Sequence, residues 1–107
     1  MIVQRTALFD RWLKRLRDGK AIARITARIT RFEAGNPGDH KHLGGGLSEM
    51  RIDYGQGYRL YWTERHGVTI LLLCGGDKAS QVSNQPLRHA ANLTQEYLLK
   101  LRFADFL

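Results

Sequence analysis

The sequence contains a single cysteine and no long hydrophobic run, and these absences exclude two classes of protein. Cys74 has no partner in the chain, so an intramolecular disulfide framework is excluded and a reducing compartment is favoured. The longest apolar stretch, Val68 to Cys74, is far shorter than the roughly 20 residues that a membrane-spanning helix needs. The N-terminus lacks the hydrophobic core of a signal peptide. We therefore expect a cytoplasmic protein without a membrane partner.

Acidic residues are scarce relative to basic ones. The 107 residues include 17 lysines and arginines but only 10 acids, which gives a formal net charge of +7. Such a basic chain attracts polyanions, with nucleic acid the first candidate and an acidic protein the second. A surface that is merely well solvated is the alternative. The length suits one domain over residues 1–107, and no repeat or linker interrupts it.

Hydrophobic periodicity predicts two helices after a short N-terminal strand over residues 1–5. From Thr6 to Asp18 the apolar side chains fall on one helical face, and Asp18-Gly19 is a suitable stop because glycine accepts the left-handed conformation. A second stripe, of isoleucines at helical spacing, runs from Lys20 to Glu33. Because the link between the two segments is short, we expect a helical hairpin.

Beyond residue 46 the hydrophobic period changes to two, which is typical of strands. This alternation predicts two strands, at Ser48 to Tyr54 and Tyr58 to Glu64, and the continuous apolar run Val68 to Cys74 predicts a third that is covered on both faces. A three-residue loop at residues 55–57 would pair Asp53 with Arg59 and keep polar side chains opposite polar ones. Residues 87–107 are helix-prone. The expected fold is α+β, with an N-terminal strand, a helical hairpin packed on a mostly antiparallel four-stranded sheet, and a C-terminal helix.

The polar face of the predicted sheet is the main functional signal. Basic residues and a tyrosine fall on adjacent strands or beside them, where guanidinium groups can hold phosphates and a ring can stack on a base. A solvated face with cross-strand ion pairs is the alternative. The candidate catalytic residues are Arg51, Arg59, Tyr61 and Lys78, and the candidate RNA-binding residues are His40, Lys41, His42, Arg51, Arg59 and Lys78.

Such a face needs no metal or other cofactor to cleave RNA, because the 2′-hydroxyl of RNA is itself a nucleophile. Cleavage requires deprotonation of that hydroxyl, stabilisation of charge on the phosphate and protonation of the leaving 5′-oxygen. Arg51 and Arg59 suit charge stabilisation. Lys41, Tyr61 or a histidine could transfer protons, and the residue pattern does not distinguish among them.

Other motifs carry weaker signals. His40-x-His42 could supply two metal ligands, but a zinc site needs three or four and no further cluster completes the set, so no metal is predicted. Gly44-Gly45-Gly46 lacks the lysine and the strand-to-helix context of a phosphate-binding loop and is better interpreted as a mobile loop. A basic stripe on the second helix suits RNA, a protein partner or solvent. It consists of Arg24, Arg28 and Arg31.

Three segments together resemble the RelE/ParE superfamily, and in particular its HigB-like addiction-module killer proteins. They are Gly35 to Ile52, Tyr54 to Tyr61 and Leu71 to Lys78. Their order and spacing match the family over residues 1 to about 81. The resemblance implies a helical hairpin packed on an antiparallel sheet. It also implies a type II toxin that a cognate antitoxin neutralises, in this branch often a helix-turn-helix protein, with operator DNA reached only through the toxin–antitoxin complex.

For the RelE-like members, the resemblance implies metal-independent cleavage of mRNA on the ribosome. Their arginine after the Gly-Tyr of the hairpin matches Arg59, and their basic residue after the last strand matches Lys78, with Arg51 and Lys41 as further basic positions. The chain departs from the family pattern at Ser80 to Leu87, where an acidic residue and isoleucine usually open the last helix. A ParE-like inhibitor of DNA gyrase, or a degenerate toxin that retains only antitoxin binding and operon autoregulation, is the alternative.

Overall fold

The computed structural model of the protein describes residues 2–65 and 69–77. In chain order its elements are β1 (Ile2–Arg5), α1 (Ala7–Arg15), α2 (Gly19–Glu33), β2 (His40–Gly44), β3 (Leu47–Ile52), β4 (Tyr58–Arg65) and β5 (Thr69–Asp77). The predicted C-terminal helix and Lys78 lie outside the described residues. In the described part of the chain, no helix is long and apolar enough to cross a membrane.

Polar side chains cap the start of both helices. The Thr6 hydroxyl accepts a hydrogen bond from the Phe9 amide at 3.0 Å, and an Asp18 carboxylate oxygen accepts from the Lys20 and Ala21 amides at 3.0 and 3.3 Å. Asp18 and Gly19 therefore begin α2, and their predicted role as the stop of α1 is wrong. Helix α1 ends earlier, at Arg15.

The described strands form one sheet with the order β1-β5-β4-β3-β2. Strand β1 pairs with β5 in parallel, and the other neighbours are antiparallel. The α+β class and the helical hairpin on a mostly antiparallel sheet are confirmed. The sheet has five strands instead of the predicted four, because His40–Gly44 pairs with β3.

One hydrophobic core joins the hairpin to the sheet. From the helices it takes Phe9, Ala21, Ile25, Ile29 and Phe32, and from the sheet Met50, Ile52, Tyr58, Leu60, Trp62 and Leu72. The sheet residues of this core alternate along β3 and β4, so the side chains between them project from the opposite face. That second face carries the polar residues considered below.

The hairpin register differs from the prediction by two residues. Ile52 pairs with Tyr58 and Arg51 with Arg59, so the connection is the five-residue segment 53–57 rather than a three-residue loop. Gly55 and Gly57 in this connection have positive φ angles of 55° and 79°, and the Gly57 amide donates to the Tyr54 carbonyl at 2.9 Å. The same side chains stay on the same faces, because a shift of two residues preserves the alternation.

Strand β5 continues through Gly75 and Gly76, beyond its predicted end at Cys74. The indole of Trp12 lies directly over Gly75, where a methyl group would overlap the six-membered ring. Trp12 also contacts Phe9 and Tyr58, with ring centroids 5.6 and 6.4 Å apart. Gly75 therefore lets α1 approach the sheet closely.

We expect Gly75→Ala to lower the free energy of unfolding by about 1–3 kcal/mol, since an extra methyl in a packed site displaces its neighbours. Gly19→Ala is the matched control, because nothing lies within 4 Å of the added methyl at the start of α2. That substitution should be neutral or stabilising. Urea denaturation measures the stability of both variants. If Gly75→Ala is as stable as Gly19→Ala, the indole of Trp12 does not pack closely against Gly75.

Candidate nucleic-acid interface

Two arginines lie directly opposite each other on the sheet face that points away from the helices. Arg51 on β3 pairs with Arg59 on β4. Like charges in this position repel, and Glu49 on the same face compensates. One Glu49 carboxylate oxygen lies 3.3 Å from Nε of Arg51 and 3.8 Å from Nε of Arg59. Two cations thus share one carboxylate, and the group keeps a net positive charge.

The shared carboxylate is buried and the two cations are only partly so. The Glu49 side chain is 6% exposed, whereas the side chains of Arg59 and Arg51 are 19% and 39% exposed. Nη1 of Arg59 donates to the Tyr58 carbonyl at 3.3 Å, and Nε of Arg51 donates to Glu49. Within residues 2–65 and 69–77, the terminal nitrogens of Arg51 make no hydrogen bond and remain available to an anion.

The arginine pair borders an open depression of about 290 Å³ beside the β3–β4 connection. Its lining residues are Asp39, Arg51, Asp53, Gly55, Gln56, Gly57 and Arg59. The depression is therefore lined by two arginines and two aspartates. Guanidinium groups suit a phosphate, and the carboxylates restrict how a polyanion can approach them.

The sheet separates the predicted RNA-binding residues into two groups. Lys41 pairs with Glu49, so it shares the face of Arg51 and Arg59. His40 and His42 pair with Met50 and Ser48 on the opposite side. The ring centroid of His40 lies 5.7 Å from that of Trp62, which packs against Phe32 of α2. The two histidines therefore do not extend the arginine face.

Tyr61 lies next to Glu49 across the strands but is 0% exposed. A ring can stack on an unpaired base only if one of its faces is accessible, and in this conformation neither is. Lys78, the other predicted catalytic position, lies outside the described residues. The described part of the chain thus brings together Arg51, Arg59 and Lys41 from the predicted set.

Arg28 has a structural role that the basic stripe on α2 did not reveal. Its guanidinium donates to the carbonyls of Arg51 at 2.7 Å, Pro37 at 2.8 Å and Asp39 at 3.3 Å. Burial lowers the pKa of Arg28 from its ordinary value, against the opposing effect of the Asp39 charge. Arg28 therefore fastens α2 to β3 and to the segment before β2.

The other two members of the stripe differ from Arg28. The guanidinium of Arg24 lies 4.7 Å from the ring centroid of Tyr54, and Arg31 is exposed. Glu49 was the more serious omission from the predicted site. Strand alternation alone places it on the face of Arg51, so the signal was present in the sequence.

No group of three or more histidine, cysteine, aspartate or glutamate side chains that could hold a metal ion occurs in the described ranges. No family model matches the chain, and no solved structure matches it. An uncharacterized protein of Haemophilus influenzae strain Rd is 46% identical over 94 residues, which cover 88% of this chain and 93% of the relative. The chain therefore belongs to the same protein family as this Haemophilus influenzae relative.

Proposed function

We propose that the protein is the toxin of a type II toxin–antitoxin system of the RelE/ParE superfamily. Its activity is metal-independent cleavage of mRNA on the ribosome, which inhibits translation in the cytoplasm. The observation that carries this proposal is the cross-strand pair of Arg51 and Arg59 at an open depression. The resemblance of residues 35–52, 54–61 and 71–78 to HigB-like killer proteins supports the class.

In this mechanism the arginine pair binds the scissile phosphate. The terminal nitrogens of Arg51 and Arg59 donate charge-assisted hydrogen bonds to the non-bridging oxygens. The negative charge on these oxygens grows as the 2′-hydroxyl gives its proton to a base, its oxygen bonds to phosphorus, and the bond to the 5′-oxygen breaks with protonation of that oxygen. Glu49 is a positioning residue, because its carboxylate accepts a hydrogen bond from Nε of Arg51 and lies 3.8 Å from Nε of Arg59. Nε of Arg59 is buried without a hydrogen-bond partner among the described residues, so its interaction with Glu49 is electrostatic. Lys41 on the same face attracts the neighbouring phosphates.

The proposed partners rest on the charge of the chain and on its resemblance to HigB-like proteins. A net charge of +7 favours encounter with ribosomal RNA and mRNA. The antitoxin is of the helix-turn-helix type, and the toxin reaches operator DNA only as part of the complex with it. RNA binding by this face should weaken steeply with salt, since phosphate contacts release counterions.

The decisive experiment compares the wild type with Arg59→Gln after induction in cells. We expect the wild type to stop pulse-labelled protein synthesis and to create new mRNA 5′ ends at ribosome-occupied codons. Arg59→Gln should reduce the rate of cleavage at least about 100-fold, as loss of a transition-state donor does in other enzymes. Arg31→Gln, an exposed site on α2 with the same change of charge, is the matched control and should retain activity.

Thermal unfolding of the purified variants shows whether Arg59→Gln still folds, so a loss of activity can be assigned to the site. Continued translation together with gyrase-dependent DNA damage would overturn the nuclease proposal and favour a ParE-like inhibitor. A stable, harmless wild-type protein that still binds its antitoxin would overturn it in favour of a degenerate toxin that acts only in operon autoregulation.

A further inference from the structure

His40 and His42 form a pair that the proposed RNA chemistry does not use. They lie two residues apart on β2, so their side chains project from the same face of the strand. Both residues are exposed, and β2 is the last strand in the sheet order. Their ring centroids are 5.8 Å apart, with the ring planes at 86°. Both rings are therefore accessible to a small ligand that approaches this edge of the sheet.

Both rings use Nδ1 for a hydrogen bond within the protein, which leaves Nε2 of each ring for a ligand. Nδ1 of His40 lies 2.8 Å from the carbonyl oxygen of Gly38, which can only accept, so Nδ1 carries the proton and Nε2 has the lone pair. Nδ1 of His42 lies 2.7 Å from the Ser48 hydroxyl, which can accept in the same way. Histidines that bind metals are held by this arrangement, with the other ring nitrogen donating to an oxygen.

The spacing of the rings also suits a shared ion. Two imidazoles bound to one tetrahedral ion with metal–nitrogen distances near 2 Å have ring centroids about 5 Å apart. The observed 5.8 Å needs only a small rotation of two exposed side chains to reach this value. Strand alternation therefore places two exposed rings on one face, and each ring uses Nδ1 for a hydrogen bond within the protein.

We propose that His40 and His42 chelate a divalent first-row transition-metal ion through their Nε2 atoms. In this proposal water occupies the remaining coordination positions, and residues 2–65 and 69–77 contain no group of three histidine, cysteine, aspartate or glutamate side chains that could hold a metal ion. The site is therefore open and exchangeable, unlike a structural zinc site with four protein ligands. Imidazole ligands favour Cu²⁺, Ni²⁺ and Zn²⁺, with Cu²⁺ bound most tightly.

This site is independent of the proposed nuclease centre. It lies on the helix-side face of β2, whereas Lys41 and the arginine pair occupy the other face. The metal has no part in cleavage. It binds the folded edge strand and so raises the stability of the protein by mass action.

The test uses the full chain after removal of any histidine tag. Cu²⁺ should bind at one site, with an electron paramagnetic resonance spectrum that shows coupling to two imidazole nitrogens, and saturating Zn²⁺ should raise the Tm by about 5 °C. His40→Gln and His42→Gln should each reduce the spectrum to at most one nitrogen and abolish the Zn²⁺ shift. His89→Gln is a control of the same residue type and should leave both signals unchanged.

Ser48→Ala tests the orienting hydrogen bond separately. Loss of such a partner weakens metal affinity by about 10-fold to 100-fold, so Cu²⁺ should bind more weakly while its two-nitrogen spectrum persists. Circular dichroism of the metal-free variants confirms that they fold. An unchanged Cu²⁺ affinity in the His40→Gln/His42→Gln double variant, or a one-nitrogen spectrum in the wild type, would overturn the proposal.

Discussion

Replacement of Glu49 by glutamine is expected to destabilise the protein by about 2–4 kcal/mol and to strengthen its binding to RNA. Glu49 is the buried carboxylate between Arg51 and Arg59, and an amide leaves two opposed guanidinium groups without their counterion. Removal of one partner from a buried ion pair costs about 3–5 kcal/mol, and the partial exposure of both arginines reduces that cost. Loss of the Glu49 charge also leaves both guanidinium groups free to bind phosphates.

Urea denaturation and RNA binding at several salt concentrations measure the two effects. One additional phosphate contact should steepen the dependence of log affinity on log salt by about 0.7 for single-stranded RNA. Glu64→Gln is the matched control, because Glu64 is an exposed residue of β4 and the change of charge is identical. If Glu49→Gln and Glu64→Gln unfold at the same urea concentration, Glu49 does not hold the arginine pair.

Arg28→Ala is expected to cost about 2–4 kcal/mol of stability. The change leaves the partly buried carbonyl oxygens of Arg51 and Pro37 without the Arg28 donor. The exposed carbonyl of Asp39 also loses its bond from Arg28 but keeps the one from the Arg51 amide at 2.9 Å. Hydrogen bonds to a charged group contribute about 1.5–3 kcal/mol each, although their effects on stability do not simply add. Arg28→Lys should recover little of the loss, because one ammonium cannot reproduce the fork of a guanidinium that serves three acceptors.

The matched control for Arg28 is Arg31→Ala, one turn further along α2 and exposed. It removes the same charge and should change the stability by less than about 0.5 kcal/mol. Thermal unfolding monitored by circular dichroism compares the variants. If Arg28→Ala lowers the free energy of unfolding no more than Arg31→Ala does, Arg28 has no structural role and is a solvated surface residue like Arg31.

The helices and most of the strands could be predicted from the sequence, because a side-chain period of 3.6 or two residues is a local property. The isoleucine stripe of α2 and the alternation in β3 and β4 lie where the pattern placed them. Strand β2 was missed, since the exposed segment His40–Gly44 has little apolar content and pairs along only one side among the described strands. The parallel pairing of β1 with β5 joins segments that are distant in the chain, so no local period reveals it.

The hydrophobic pattern did not determine the register of the β3–β4 hairpin. Hydrophobic alternation excludes a one-residue shift in the pairing of β3 with β4. It does not exclude a two-residue shift, because that shift leaves every side chain on the same face of the sheet. The hydrogen bonds and glycine conformations of the five-residue connection at residues 53–57 select the observed alignment. As a result Arg51 faces Arg59, and the pair depends on Glu49.

The sequence by itself determined the chemical inventory and the α+β class, because composition and periodicity are encoded residue by residue. Only the tertiary structure decided which basic groups lie on one face. Packing buries Tyr61, and the guanidinium of Arg28 donates hydrogen bonds to three carbonyl oxygens. Strand pairing places Lys41 and the neighbouring histidines on opposite faces of β2. Exposure and partnership arise from contacts between residues distant in the chain, and a local pattern does not contain them.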